Sequence, residues 1–235
     1  QRQMCIRDRF GDHVTQGDWA ELWLSEGFAT YFGNLFFEGE DGGRRFRALM
    51  EEDRHQVLAS SDVARPVIDR EETNLFALLN ANNYQKAGWV LHMLRGMLGD
   101  ETFFRGIRRY YAELGGTNAT TADVRRVMEE VSGEDLGWFF HQWLEEPGFP
   151  RLAAEWSWDA ASGEVVLSLR QEPREGWPFF RLPLEVEVVG AGGEGVRHRV
   201  LIRDSRPTFR LPAPGPPRAV RLDPDGWLLW EDVSG

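Results

Sequence analysis

One cysteine, Cys5, and one lysine, Lys86, stand in a chain of 235 residues. A single thiol excludes an internal disulfide and a cysteine-built metal cage, and it leaves the redox compartment open. Lysine is as scarce: the 27 basic residues include only Lys86, so every other base is arginine. Genomic bias accounts for most of such a skew, and of the two readings of the lone lysine, chance is preferred to a place that needs a compact ammonium rather than a guanidinium fork. No apolar run reaches the roughly 18 residues of a membrane span, and the first ten residues lack the charged-then-apolar build of a signal peptide. Positive charge is short as well. With 38 acids the formal charge is −11, which disfavours nucleic acid and anionic membrane surfaces as partners. A soluble acidic protein is expected. Its 42% hydrophobic content is ample for the core of one large domain or two modest ones.

The two halves of the chain carry different periods. From Asp18 to about Glu146 apolar residues recur at helical spacing between turn residues. Asp18 followed by Glu21 reads as an N-cap with its returning acid, so a helix is expected from there to about Glu38, ended by Gly39 to Gly43. A second helix has Phe46, Leu49, Met50 and Val57 on one face, and the polar stretch "SSDVARPVIDREETN" after it reads as a surface loop. "NNYQKAGWVLHMLRGMLG" resumes the pattern with Val90, Met93, Leu94 and Met97, stopped by Gly99. Phe103, Ile107, Tyr110 and Leu114 mark the next helix. Thr120 with Asp123 marks a capped start before Val124, Val127, Met128 and Val131, and Gly133 closes that helix. A last helix, "EDLGWFFHQWLEEPG", reaches a boundary at Pro147 and Gly148.

Beyond Pro150 the period drops to two. Leu184, Val186 and Val188 alternate with Glu185 and Glu187, the pattern of a strand with one wet face. Val165, Leu167 and Leu169 repeat it. "RVLIR", "TFRL" and "AVRLD" add short strands, and "GAGGEG" and "PAPGPP" separate them. Strands spaced this way indicate a small antiparallel β-sandwich. "GAGGEG" precedes no helical pattern, so it reads as a hairpin turn rather than a phosphate loop.

Glu26 is the residue this pattern leaves unexplained. Its helical neighbours are Leu22, Trp23, Ala29 and Thr30, and a carboxylate among such residues needs a counter-charge or a metal. An arginine from another helix would serve on residue statistics alone. The surrounding run, "FGDHVTQGDWAELWLSEGFATYF", resembles the zinc-binding core of the gluzincin aminopeptidases, the family of aminopeptidase N and its epoxide-hydrolase relative. In that family a helix bearing H-E-x-x-H precedes this run, and the third zinc ligand is the glutamate that Glu26 matches. "NNYQKAGWVLHMLR" resembles the family's Tyr-x-Lys-Gly segment, in which the tyrosine hydroxyl stabilises the oxyanion of peptide attack. Tyr84 matches that tyrosine. Lys86 matches the lysine, although Ala87 and Gly88 stand in swapped order. "WFFHQWLEEPGFPRL" and "VRLDPDGWLLW" resemble the link out of the catalytic helices and the last strand of the sandwich domain, so the resemblance runs from Phe10 to the end.

The departure lies just upstream. By the family's spacing the histidine ligands fall at Gln3 and Arg7, and the general-base glutamate falls at Met4. His13, His55, His92, His141 and His198 include no pair four apart, so no other zincin motif substitutes. As written, the chain does not build a three-ligand zinc site. One explanation is an inactive, metal-free relative that binds or scaffolds a partner. The other is that "MCIRDR", residues 4 to 9, is translated sequencing-adapter sequence in front of a chain that starts inside the zinc motif. Persistence of Tyr84 and the abrupt loss of the match over Gln3 to Arg9 favour the second.

The resemblance implies an α+β multidomain fold: residues 1–149 as the helical part of a thermolysin-like metallopeptidase domain, with 1–9 not native, and 150–235 as a small antiparallel β-sandwich. It implies a zinc aminopeptidase acting on peptides with a free N-terminus, Glu26 on the metal and Tyr84 on the oxyanion. This fragment is expected to hold no zinc, to be inactive and to aggregate, with Leu22 and Trp23 partly uncovered. A zinc epoxide hydrolase shares the same core. His13 falls outside the ligand register and reads as a histidine on the surface or just behind the ligands. Tyr110, Tyr111, Phe139 and Phe140 read as packing, and Asp12 as a group that could orient the ligand shell.

Overall fold

Asp18 does start the helical half, but by a shorter route than its spacing with Glu21 suggests. In a computed structural model, which describes residues 13–39 and 41–234, its carboxylate accepts from the Ala20 amide at 2.9 Å and caps a single 3-10 turn, Trp19–Glu21. Helix α1 then runs Trp23–Leu35 and stops short of Glu38. Glu21 does not return to Asp18. Its carboxylate is drawn instead to the amide and hydroxyl of Thr121, which also need an acceptor.

Helix α2 (Arg44–Ala59) buries Phe46, Met50 and Val57 along one face, and Leu49, expected with them, is half-buried. The segment after it is more than a surface loop. Val63, Val67 and Ile68 are buried, the Ile68 amide donates to the Leu144 carbonyl at 2.9 Å, and Asn82 Nδ2 donates to the Asp62 and Arg65 carbonyls. The polar residues between these anchors hid them. A π-helical turn, Asn82–Lys86, leads into α3 (Ala87–Leu98), and α4 (Asp100–Leu114) follows. The Thr120–Asp123 capping box is formed at the head of α5 (Thr121–Ser132), and Gly133 ends that helix with φ 75. The last expected helix is one short turn, α6 (Gly137–Phe140), that widens into a second π turn, His141–Glu145. Strand β1 (Val14–Gln16) pairs in parallel with β2 (Thr117–Ala119), tying the start of this unit to the loop before α5.

The described residues divide into two compact units between Gly148 and Phe149. In the second, β3 (Arg151–Asp159), β4 (Glu164–Gln171), β5 (Leu182–Gly190), β6 (Gly195–Ile202), β7 (Thr208–Pro212), β8 (Pro217–Leu222) and β9 (Glu231–Asp232) form two sheets, ordered β7-β4-β3-β9 and β6-β5-β8. Leu184, Val186 and Val188 of β5 are buried, and so are Val165, Leu167 and Leu169 of β4. Glu185 and Glu187 face outward and pair with Arg197 and Arg221. The turn at "GAGGEG" joins β5 to β6 as a hairpin. One pairing departs from the antiparallel pattern, because β9 runs parallel to β3; a two-residue strand carries no alternation from which its direction could be read.

Candidate active site

Glu26 lies in the first turn of α1, half-buried, between fully buried Trp23 and Leu24 on one side and Gly27 and Phe28 on the other. It is less enclosed than its apolar neighbours suggest. Leu22 and Trp23, expected to be partly uncovered, are buried; Trp23 has no exposed surface, and its indole donates to Thr121 Oγ1 at 2.9 Å.

Tyr84 occupies the middle of the π turn, also half-buried. Asn80 shapes the entry: its Oδ1 accepts from the amides of Asn82 and Asn83, and its backbone carbonyl accepts from the Tyr84 amide. Widened turns of this kind interrupt a helix and re-aim the side chains on it. The turn packs against α1 at close range. Gly27, the residue after Glu26, faces Ala87, and an ideal Cβ on Gly27 would stand only 2.5 Å from the Ala87 Cβ. One position on, Gly88 faces Thr30 and Tyr31 of α1. The elements that carry Glu26 and Tyr84 are therefore in direct contact. The swapped Ala87–Gly88 order is accommodated, because Gly27 has no side chain where the Ala87 methyl lies.

Lys86, the only lysine, closes the π turn with no exposed surface at all. Its Nζ has no hydrogen-bond partner among the described residues, and burial pulls the ammonium down to about 7. A surface lysine left by chance does not look like this. Glu21 is a second buried charge, and the sequence pattern missed its role. It sits at the N-terminus of α5, taking the Thr121 amide at 2.8 Å and Arg70 Nη2 at 3.0 Å, where a carboxylate satisfies amides that the helix itself cannot. A cleft of about 700 Å³ beside it is lined by Arg70, Arg125 and His141. Each of these already has an acid partner, Glu21, Glu129 and Glu145 respectively.

Four of the five histidines have other partners. His13 is exposed and stacks on Tyr111 at 4.4 Å, as a surface histidine should. His55 and His141 are exposed beside glutamates. His92 is buried edge-on to Trp89, with Nδ1 3.4 Å from the Tyr31 hydroxyl. Tyr110 packs on Phe28 and Phe139 on Phe140, which is core packing. Among the described residues no three His, Cys, Asp or Glu side chains are placed to hold a metal ion. Glu26 is one oxygen donor where zinc takes three protein ligands and a fourth partner, so the described residues do not by themselves fit a zinc ion. Gln3, Met4, Arg7 and Asp12, to which the metal motif and its support were assigned, lie outside the described residues. No helix among the described residues is long and apolar enough to cross a membrane.

The chain is 32% identical over 173 residues to aminopeptidase N of Lactococcus lactis subsp. lactis, a match covering 69% of the chain and 19% of that protein. It is 32% identical over 149 residues to aminopeptidase M1-A of Oryza sativa subsp. japonica, covering 60% of the chain and 16% of that protein. The chain thus spans about a fifth of the length of these relatives. In fold it is similar to the crystal structure of Legionella pneumophila aminopeptidase A in complex with aspartic acid, with a TM-score of 0.79 at 19% identity over 99% of this chain and 26% of that one. Residues 7–143 match the peptidase family M1 domain, and the chain belongs to that family.

Proposed function

We propose that this chain is part of a zinc-dependent aminopeptidase that hydrolyses the N-terminal bond of peptides, with Glu26 as the metal carboxylate and Tyr84 as the oxyanion donor. The observation that carries the reading is the contact between their elements at Gly27 and Ala87. The aminopeptidase names of the relatives support the reaction class. With Glu26 as one of its ligands, a bound zinc would supply Lewis-acid polarisation of the scissile carbonyl. Tyr84 has a role of its own: a phenol donates one hydrogen bond, and held on a rigid turn it meets the charge that builds on the carbonyl oxygen as that carbon becomes tetrahedral. Removing a donor of this type typically costs about 2.7 to 4 kcal/mol of transition-state stabilisation. In the enzyme carrying an uninterrupted H-E-x-x-H, Tyr84→Phe should therefore lower kcat on aminoacyl anilides by a factor of roughly 100 to 1000 and change KM little. Unchanged turnover would remove Tyr84 from the site.

With glutamine, methionine and arginine at positions 3, 4 and 7, this chain by itself holds no stoichiometric zinc and releases no amino acid. Equilibrium dialysis against zinc at neutral pH tests that directly. One zinc per chain would mean that other donors complete the set. A metal-free binding role is the reading to adopt if the unaltered gene encodes these three residues.

A further inference from the structure

Helix α1 and the start of α3 approach each other more closely than side-chain packing allows at any position but a glycine. An ideal Cβ on Gly27 would lie 2.5 Å from the Ala87 Cβ and 3.2 Å from the Ala87 carbonyl carbon, and one on Gly88 would lie 3.4 Å from Thr30 Cγ2 and 3.6 Å from the Tyr31 amide nitrogen. Gly27, Ala87 and Gly88 are all buried. Carbon atoms in contact sit about 3.5 to 4.0 Å apart, so a methyl group on Gly27 forces the two backbones to part by about 1 Å. An ångström matters here. Glu26 is the residue before Gly27, and Tyr84 lies in the π turn that runs directly into Ala87, three positions on, so whatever separates Gly27 from Ala87 also separates the carboxylate's helix from the phenol's turn. By contrast Gly33, further along α1, has no atom within 4 Å of where its Cβ would be.

We propose that Gly27 and Ala87 form a spacer that fixes the distance between Glu26 and Tyr84, and that both are positioning residues for the site. The proposal rests on the reading of Glu26 and Tyr84 given above. It makes the interface size-exchangeable: a methyl group belongs on one side of the contact and not on both. Gly27→Ala breaks the spacing, and adding Ala87→Gly to it moves the methyl across and restores most of it, the remaining approach to the Ala87 carbonyl carbon being tight but not prohibitive. A displacement of about 1 Å between catalytic groups costs on the order of 100-fold in rate, which is what this contact guards against.

The chain offers two reporters that need no turnover. Lys86 is its only lysine and is fully buried at the edge of the contact, so acylation mapped to residue 86 reports exposure of this region, and the retained circular dichroism and the Gly33→Ala control separate opening at the contact from unfolding of the unit. Fluorotyrosine incorporated at the four tyrosines gives one fluorine resonance for Tyr84, assigned by its loss in Tyr84→Phe. Gly27→Ala is expected to raise the acylation rate of Lys86 at least tenfold and to shift the Tyr84 resonance, with the helical circular dichroism retained. The double variant Gly27→Ala/Ala87→Gly is expected to return both towards the parent values, and Gly33→Ala to leave both unchanged. If Gly27→Ala does not fold, recovery of folding in the double variant supports the spacer, and its failure overturns it. A folded Gly27→Ala with unaltered Lys86 protection and Tyr84 resonance also overturns it. None of these readouts depends on turnover, so the spacer and the catalytic role of Tyr84 stand or fall separately.

Discussion

Replacing Lys86 with methionine should stabilise the helical unit, which is an unusual expectation for a fully buried position. The side chain is enclosed, its Nζ has no hydrogen-bond partner among the described residues, and burial takes the ammonium from 10.5 to about 7. Each factor of ten in proton affinity is worth about 1.4 kcal/mol, so the folded unit forgoes roughly 5 kcal/mol at neutral pH relative to an exposed lysine. Methionine fills a similar volume with a flexible apolar chain, and after imperfect repacking a gain of about 2 to 4 kcal/mol is expected. The sign with pH follows from the depressed value. Between pH 7 and 10.5 the unfolded chain holds the proton and the folded unit has released it, so stability rises with pH through that window. From pH 7 to 9.5 the rise should be about 3 kcal/mol. Above pH 10 the trend reverses, because burial pushes Tyr31 up to about 12 and raises Tyr110 as well, and the unfolded chain then loses those protons first. Urea unfolding at pH 7 and pH 9.5, followed by the helical circular dichroism signal that arises in the first unit, measures both effects. A parent chain of equal stability at the two pH values, or a destabilised Lys86→Met, would mean that the ammonium is charged and paired, and the reasoning would be refuted.

Two further predictions concern the same unit. Arg95 is buried with its guanidinium forked between Glu38, at 2.8 and 3.0 Å, and Asp100, at 2.8 and 2.9 Å; Arg95→Lys keeps the charge but cannot span both carboxylates, and should cost about 2 kcal/mol in urea unfolding. Asp53, half-buried and hydrogen-bonded by Asn34 Nδ2 at 2.6 Å, is pushed up to about 6 by burial. Its raised value means that its favourable contribution is present below pH 4 and is lost as pH rises through about 6, so Asp53→Asn should stabilise the unit at pH 7 by on the order of 1 kcal/mol and leave it unchanged or weaker at pH 4.

The features that were legible in the sequence are local ones. Thr120 and Asp123 lie three apart and complete each other's hydrogen bonds, and the alternation in β5 needs only its own residues to reveal which face is buried. Glu26 and Tyr84 were marked by a long run in register with a known family rather than by anything in their own chemistry. What stayed hidden is non-local. Glu21 is 100 residues from Thr121, whose amide and hydroxyl claim it, and nothing near position 21 foretells that competition. Val63, Val67 and Ile68 are spaced like no regular element, so the segment around them read as surface although its backbone is anchored to Leu144 and Asn82. Lys86 was marked by its scarcity, but its complete burial depends on the helices that close around it. The one sequence signal for the contact at the site is Gly27 itself, a glycine inside an apolar helix, which costs helix stability and marks a close approach.

The central claim, that Glu26 and Tyr84 belong to a zinc peptidase site, is tested most directly by reading the source DNA across the codons for residues 1 to 10 and upstream of them. The account predicts H-E-x-x-H in frame, with its second histidine at the position now held by Arg7. Genomic DNA that encodes Gln3, Met4 and Arg7 as they stand would contradict it.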